Sequence, residues 1–262
     1  EIFMLTLSQN QVQLFRSGQD SIERVTPDGL PESIEEALAL DDPEKRQQYH
    51  TSTDSPKATG EQPAAFHPHD PEEEKKSRLR RFFQQIDGIV AQYLGKTDAT
   101  PLVIAGVDYL LPIYRKANTY SHLLDEEIVG NVEHLESHEL LQRLQPIIEA
   151  QAFQEQQADL EEYEQLDGGA YVSTDPAEIV AAAYYGRIKT LFTARNKEIW
   201  GTFDPQTGQI NETDPDRGQE LTNLASRNTL LNRGAVHLLP EEAMPKGASL
   251  AAIFRYTTNS DS

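Results

Sequence analysis

The sequence predicts an α/β protein of two domains, on three observations. The first is an amphipathic helix that begins near Glu73 and leads into the apolar stretch at residues 101–107. The second is a helix-glycine-strand unit that occurs twice, around Gly186 and around Gly234. The third is the length of 262 residues, which is enough for two domains with separate hydrophobic cores.

The first domain is predicted to open with three short strands, at residues 2–7, 11–15 and 21–25. Apolar residues alternate in the first two strands around a turn at Gln9 and Asn10, which predicts one buried face and one wet face. A short helix is predicted to follow at residues 32–40.

A long polar segment at residues 47–71 is predicted to be a functional or disordered loop. It holds His50, His67 and His69, and the last two with Asp70 have the chemistry of a zinc or iron site. No histidine pair at helical spacing supports such a site, and solvent-exposed loop histidines are the alternative. We therefore predict no metal site and no cofactor.

The amphipathic helix that begins near Glu73 has seven apolar residues at spacings of three and four: Leu79, Phe82, Phe83, Ile86, Ile89, Val90 and Tyr93. Its first turns carry the dense basic cluster of the chain: Lys75, Lys76, Arg78, Arg80 and Arg81. Such a cluster at a helix N-terminus can bind phosphate, or it can be a solvated face that balances the preceding glutamates. The strand that follows is apolar on both faces, which predicts helices on both sides of the sheet.

Beyond this strand, a helical turn is predicted at residues 108–117, a polar segment at 123–129, and a helix capped by Ser137. Pro146 is expected to kink that helix, and residues 151–166 are expected to form a solvent-exposed connector between the domains.

The second domain is predicted to contain two helix-glycine-strand units. The first helix has Asp175 as its predicted N-cap, followed by Pro176, and it ends at Gly186. A strand is predicted next, at residues 188–193. The second unit is a helix at 220–232, a stop at Gly234 and a strand at 236–239. With a closing strand at residues 249–256, these units predict a small three-layer α/β/α domain.

Charge and composition narrow the function. The net charge of −20 disfavours broad nucleic-acid binding, so only a localised basic patch could dock on RNA, and DNA is not expected as a partner. There is no cysteine and no apolar run of bilayer length, so we predict a cytoplasmic protein with no membrane partner. The chain opens inside an apparent strand without methionine, and we expect an upstream part. No glycine-rich phosphate loop or nucleophile elbow is present.

Several stretches, taken in order, resemble the archaeo-eukaryotic class I peptide-release factors and Pelota, and most closely their bacterial relatives. They are RFFQQIDGI (81–89), PLVIAGV (101–107), EIVGN (127–131), AAYYGRIKTLF (182–192), WG (200–201), NTLLNRGAV (228–236) and AIFRY (252–256). The resemblance implies a ribonuclease-H-like mixed-sheet domain at residues 1–150 and a helical connector at 151–168. It further implies a domain similar to kink-turn-binding ribosomal proteins at 169–256, a disordered tail at 257–262, and a codon-reading domain upstream.

In release factors a Gly-Gly-Gln loop precedes the long helix and positions water against the peptidyl-tRNA ester. The matching loop here has Gly60, Glu61 and Gln62 as its nearest triplet, and these are the candidate catalytic residues. Glu61 lacks the conformational freedom of glycine, and its charge would face RNA phosphates. The resemblance therefore implies a ribosome-associated release- or rescue-factor-like protein without intact hydrolysis, whose only enzymatic reaction would be peptidyl-tRNA ester hydrolysis.

The basic cluster is then expected to contact ribosomal RNA or tRNA, and the ribosome or tRNA is the expected partner. Two alternatives remain open. One is a non-catalytic protein-interaction module on the same fold, which the acidity favours and which would take a protein partner. The other is a metal-dependent hydrolase that uses carboxylates near Asp108, at the end of the buried strand, where the acid could instead cap the next helix.

Overall fold

The computed structural model describes residues 1–8, 10–18, 21–31, 33, 71–96 and 100–257, and for residues 71–75 the backbone alone. The predicted helix at 32–40 and the polar segment before residue 71 fall outside these ranges, apart from Ser33. The chain divides into two compact units, Glu1–Glu149 and Ala150–Ser262, which we name the first and second unit.

The first unit combines a mixed sheet with helices on both faces. Its strands are β1 (Ile2–Leu7), β2 (Val12–Ser17), β3 (Ile22–Val25), β4 (Leu102–Gly106) and β5 (Leu123–Val129). Its helices are α1 (Pro71–Leu94), α2 (Leu111–Ala117) and the beginning of α3 (Ser137–Leu166). The strand order is β3-β2-β1-β4-β5, in which β1 is antiparallel to β2 and parallel to β4. The strands predicted at residues 2–7, 11–15, 21–25 and 101–107 are therefore confirmed within a few residues at each end.

Helix α1 covers one face of this sheet with the apolar stripe that its sequence predicts. Phe82, Phe83 and Ile86 are buried against β1, β2 and α2, and Phe83 meets Tyr114 of α2 edge to face at 5.7 Å between ring centroids. The opposite face of the sheet packs against α3 through Leu140 and its apolar neighbours one and two turns on. The two helical layers explain why every residue of β4 is buried.

The prediction of one wet face for the first hairpin is wrong for β1. All of Ile2–Leu7 is buried, because β1 pairs with a strand on each side and is covered by helices above and below. Phe3 and Leu5 pack toward α1, while Ile2 and Met4 pack toward α3. The alternation that is visible in the sequence therefore separates two buried faces.

Helix α3 belongs to both units. It is one helix from Ser137 to Leu166 with Pro146 inside it, and the boundary between the units follows Glu149. Ser137 is its first residue rather than its cap; the backbone N–H of Glu136 instead donates to the Glu139 carboxylate at 3.0 Å. The expected solvent-exposed connector holds only in part, because Tyr163 is 3% exposed.

The second unit contains a mixed sheet and a smaller antiparallel one. Its elements are β6 (Val172–Ser173), α4 (Pro176–Tyr184), β7 (Ile188–Ala194), β8 (Trp200–Asp204), β9 (Gln209–Glu212), β10 (Gln219–Glu220), α5 (Leu221–Leu231), β11 (Ala235–Leu239) and β12 (Leu250–Phe254). The main sheet has the order β11-β7-β12-β6, and β10-β8-β9 form the smaller sheet. Helices α4 and α5 pack on one face of the main sheet, and residues 160–166 of α3 pack on the other.

The first helix-glycine-strand unit is confirmed in detail. Asp175 accepts a hydrogen bond from the Ala177 N–H at 3.1 Å, Pro176 opens α4, and Gly186 ends it in the left-handed region at φ +71°.

The second helix-glycine-strand motif, around Gly234, departs from the prediction. The left-handed residue after α5 is Arg233, at φ 58°, and not Gly234. Gly234 is required for a different reason, because a Cβ there would lie 2.6 Å from the Thr229 methyl and 2.9 Å from the Ile188 carbonyl oxygen. Arg233 thus occupies the position that glycine occupies after α4.

Candidate nucleic-acid interface

The outer side of α1 carries the basic residues predicted to contact RNA. Lys76, Arg78, Arg80 and Arg81 are exposed, and Lys75 lies in the same helix. The neighbouring apolar stripe fixes the rotation of the helix, since Leu79 and Phe82 are buried between these cations. The structure therefore keeps the predicted basic residues together on solvent-facing positions of one rigid element.

The outer side of α1 is also free of exposed acid over a long stretch. Between Lys76 and Lys96 the sequence has five cations and a single carboxylate, Asp87, which is 1% exposed. In a chain of net charge −20 this contrast makes residues 76–96 a local positive stretch, which follows the three glutamates at the start of α1. From Lys76 to Arg81 the exposed side is basic, and it continues with glutamines.

The cations are arranged to bind phosphates at more than one point. Lys76 and Arg80 are one helical turn apart, about 6 Å along the axis, and Arg78 and Arg81 form a second row at the other edge of the exposed side, roughly 150° around the axis. Among the described side chains, neither Arg80 nor Arg81 has an ion-pair partner. Guanidinium groups in this state can offer their planar set of donors to phosphate oxygens.

Asp87 holds α1 in place rather than contributing to the surface charge. Its carboxylate accepts hydrogen bonds from the Thr119 N–H at 2.9 Å and from the Thr119 hydroxyl at 2.6 Å, which ties α1 to the segment after α2. Burial raises the pKa of Tyr114, and the nearby Asp87 charge raises that pKa further. The contacts of Asp87 give α1 a fixed position, which a surface for a rigid RNA partner requires.

The other predicted site residues either lie outside the described ranges or form no metal-ligand cluster within them. Gly60, Glu61 and Gln62 lie outside the described residues, as do His67 and His69. Asp108 is exposed, and it is not the cap of α2, whose N-cap residue is Leu110. Within the described ranges no three histidine, aspartate or glutamate side chains come together to bind a metal. The metal-dependent hydrolase alternative therefore has no such ligand cluster in that part of the chain.

Sequence reasoning missed that the surface extends beyond the basic cluster. The glutamines after Arg81 continue the exposed side of α1 without an acid, and Lys96 follows the end of the helix at Leu94. The signal was present in the sequence as a run of 21 residues with one acid, residues 76–96, but the burial of that acid could be seen only in the structure.

Among the described helices, none combines the length and apolarity that a membrane crossing needs.

Comparison with protein families identifies the chain. The profile of the bacterial archaeo-eukaryotic release factor family 3 matches residues 3–187, which is more than half of the chain. The chain therefore belongs to the bacterial archaeo-eukaryotic release factor group. Within that group it belongs to family 3. No curated protein sequence matches it significantly.

Solved structures of similar proteins come from archaea and yeast. Ribosome-bound archaeal Pelota, in a model with ABCE1, has a TM-score of 0.49 at 10% identity, over 99% of this chain and 62% of that one. The archaeal translation termination factor aRF1 has a TM-score of 0.33 at 13% identity, over 97% and 62%. Dom34 from S. cerevisiae, which interacts with Hbs1, has a TM-score of 0.39 at 11% identity, over 99% and 65%. The chain thus spans less than two thirds of the length of these relatives.

Proposed function

We propose that the protein is a ribosome-associated factor of the release or rescue type, without intact peptidyl-tRNA hydrolysis. Membership of the release-factor family gives the class of partner. The observation that carries the proposal is the basic stretch of α1 from Lys76 onward, whose single acid is buried, in an otherwise acidic chain. Long-range repulsion disfavours contact of the acidic surfaces with RNA, so contact is expected at local positive surfaces such as this helix.

The domain assignment belongs to the same proposal. Residues 1–150 would correspond to the ribonuclease-H-like central domain of release factors, and 151–168 to a helical connector. Residues 169–256 would correspond to the C-terminal domain similar to kink-turn-binding ribosomal proteins. A mixed sheet with helices on both faces in each unit supports this assignment.

The place of α1 in the chain gives its basic residues a role. Gly60, Glu61 and Gln62 precede α1 in the sequence, within the segment that leads directly into the helix. Contact between Arg80 or Arg81 and ribosomal RNA or tRNA would anchor that segment close to the nucleic acid. The anchor does not depend on whether the triplet is catalytic.

Co-sedimentation with ribosomes tests the proposal. We expect the chain to pellet with purified ribosomes through a sucrose cushion at about 50 mM salt. We further expect the apparent affinity to fall about 100-fold between about 50 and 200 mM salt if four phosphates are contacted. Absence from the ribosomal pellet at both salt concentrations would contradict the proposal.

Replacement of Gln62 with alanine tests the expected lack of hydrolysis. Because Glu61 stands where release factors have glycine, we expect peptidyl-tRNA on ribosomes to be hydrolysed at the rate seen without factor, by both the unaltered chain and the Gln62→Ala variant. An authentic Gly-Gly-Gln release factor supplies the positive control. Hydrolysis above background that Gln62→Ala abolishes would show that the triplet is catalytic.

The second candidate function is a protein-interaction module, which a different charged stretch favours. Residues 144–186 have nine acids and no lysine or arginine, and much of α3 in that range is exposed. Such a surface suits a basic protein partner better than RNA. Ribonuclease treatment separates the two candidates, because a protein complex would survive it and an RNA-dependent complex would not.

A further inference from the structure

One end of the main sheet of the second unit gathers cations from three separate parts of the chain. Helices α4 and α5 end there, β7 and β11 begin there, and β12 ends there. The segments 184–189, 230–235 and 253–257 contain four cations and no acid: Arg187, Lys189, Arg233 and Arg255. We name these three segments the Arg–Tyr end, because three tyrosines accompany the cations.

Arg255 holds the Arg–Tyr end together. One of its terminal nitrogens donates to the carbonyl of Asn232 at 2.6 Å, and the other donates to the carbonyl of Gly186 at 3.4 Å. Its backbone N–H also donates to the carbonyl of Arg187 at 2.8 Å. The turns after α4 and α5 are therefore joined by one cationic side chain, whose charge these neutral carbonyls do not offset.

Arg187 adds a second cation in contact with aromatic rings. Its guanidinium carbon lies 5.1 Å from the centre of the Phe254 ring and 5.9 Å from that of Tyr256. Its Nε is buried and has no hydrogen-bond partner among the described residues. Neither Arg187 nor Arg255 forms an ion pair with a described carboxylate. Lys189 differs in this respect, because its amino group pairs with Glu162.

The tyrosines of the same three segments are half exposed. Tyr184, Tyr185 and Tyr256 are 45%, 52% and 52% exposed. The rings of Tyr184 and Tyr185 meet at 5.3 Å between centroids, and the Tyr185 hydroxyl donates to the Pro205 carbonyl at 2.7 Å. Packing and this hydrogen bond fix the rings, so they keep open surface at little further loss of conformational entropy on binding.

Arg233 is an exposed cation in a conformation that glycine adopts more readily. It follows α5 at φ 58°, whereas the equivalent residue after α4 is Gly186 at φ 71°. Glycine would adopt this left-handed conformation with less backbone strain at both positions. A strained arginine on an exposed turn is the kind of departure that marks a functional residue.

We infer that the Arg–Tyr end is a binding site for unpaired RNA nucleotides. Tyrosine rings with an open face can stack on bases, and guanidinium groups beside them can hold the phosphates that join those bases. The acidic remainder of the chain confines the strand to this end of the unit. The inference goes beyond the proposed function, because it concerns the second unit and requires no ribosome.

Binding of a short single-stranded RNA to the full chain tests the inference. The chain should carry Arg80→Glu and Arg81→Glu throughout, so that α1 contributes little. We expect a fluorescent oligouridylate of about 12 nucleotides to bind at about 0.1 M salt, with a salt slope of about −0.7 for each phosphate held. Tyr256→Ala should weaken binding about tenfold through lost stacking.

Arg233→Gly keeps the test independent of misfolding. It should weaken RNA binding about fivefold at about 0.1 M salt, because one phosphate contact is lost. Its thermal midpoint should be equal or higher, since glycine accepts the left-handed conformation. The matched control is Arg195→Ala, which removes an exposed arginine after the other end of β7 and should leave the affinity unchanged.

Crosslinking can identify the part of the protein surface that contacts the bound RNA. Ultraviolet crosslinking to the uridines should mark peptides that contain Tyr184, Tyr185 or Tyr256. Three results would overturn the inference: no measurable binding at low salt, an equal effect of Arg195→Ala and Arg233→Gly, or duplex RNA of the same length binding as tightly as the single strand. Failure to pellet with ribosomes would contradict the proposed function and would leave this inference intact, because the oligouridylate binding assay contains no ribosome.

Discussion

Replacing Phe83 with alanine is expected to lower the free energy of unfolding of the first unit by about 3–5 kcal/mol. Phe83 is 0% exposed and lies at the centre of the layer between α1 and the sheet. Its ring contacts Phe82 at 5.5 Å and Tyr114 at 5.7 Å between centroids. The variant loses the buried ring, the aromatic pairs and the packing that orients the basic side of α1.

The single tryptophan lets the two units be followed separately. Trp200 lies in β8 of the second unit, whereas the first unit has no tryptophan. In a urea titration of Phe83→Ala, part of the far-ultraviolet circular dichroism transition should move to lower urea while the fluorescence transition stays in place. Phe153→Ala is the matched control, because Phe153 is 61% exposed and its loss should change stability by less than about 0.5 kcal/mol. A dichroism midpoint no lower for Phe83→Ala than for that control would contradict the packing described.

Reversing two charges on α1 is expected to weaken ribosome binding roughly 60-fold at about 0.1 M salt. The factor follows from about 0.9 counterions released for each phosphate contacted, so that each lost contact costs about eightfold at that salt. The variant Arg80→Glu/Arg81→Glu removes two such contacts and adds repulsion. The slope of log affinity against log salt should become shallower by about 1.8. Co-sedimentation over a salt series measures both quantities.

A control with the same change in net charge isolates the position of the charges. Arg143→Glu/Arg195→Glu also lowers the net charge by four, and both arginines are exposed and lie outside α1. It should change affinity several-fold at most, through long-range repulsion. If both double variants weaken binding equally, overall charge would govern the association and α1 would not be the contact.

The sequence predicted well those parts of the fold in which local pattern and packing agree. The stripe of α1 and the apolar run of β4 are local patterns, and both elements formed as expected. The burial of β1 on both faces was missed, because the alternation of Phe3 and Leu5 with Ile2 and Met4 separates two apolar faces and was taken for a boundary with water. Whether a face of β1 is buried depends on the strands and helices that pack around it, and several of these are distant in sequence.

The two candidate surfaces differ in how far sequence could predict them. The basic side of α1 is one helix, so spacing alone placed Lys76 and Arg80 together. The Arg–Tyr end joins three segments about 70 residues apart at its extremes, and only the sheet brings Arg187 and Arg255 together. Residue preference predicts Gly234 as the helix stop, because glycine is the usual choice, and it does not predict the left-handed Arg233.

The hydrogen bonds of Arg255 give the last part of the chain an influence beyond its own strand. A shortened protein that stopped at Phe254 would retain every strand of the main sheet, yet the carbonyls of Gly186 and Asn232 would lose the donor that ties them together. Secondary-structure content would hardly register such a truncation. Arg255 therefore links the ends of α4 and α5, and an unchanged spectrum would not show whether that link is intact.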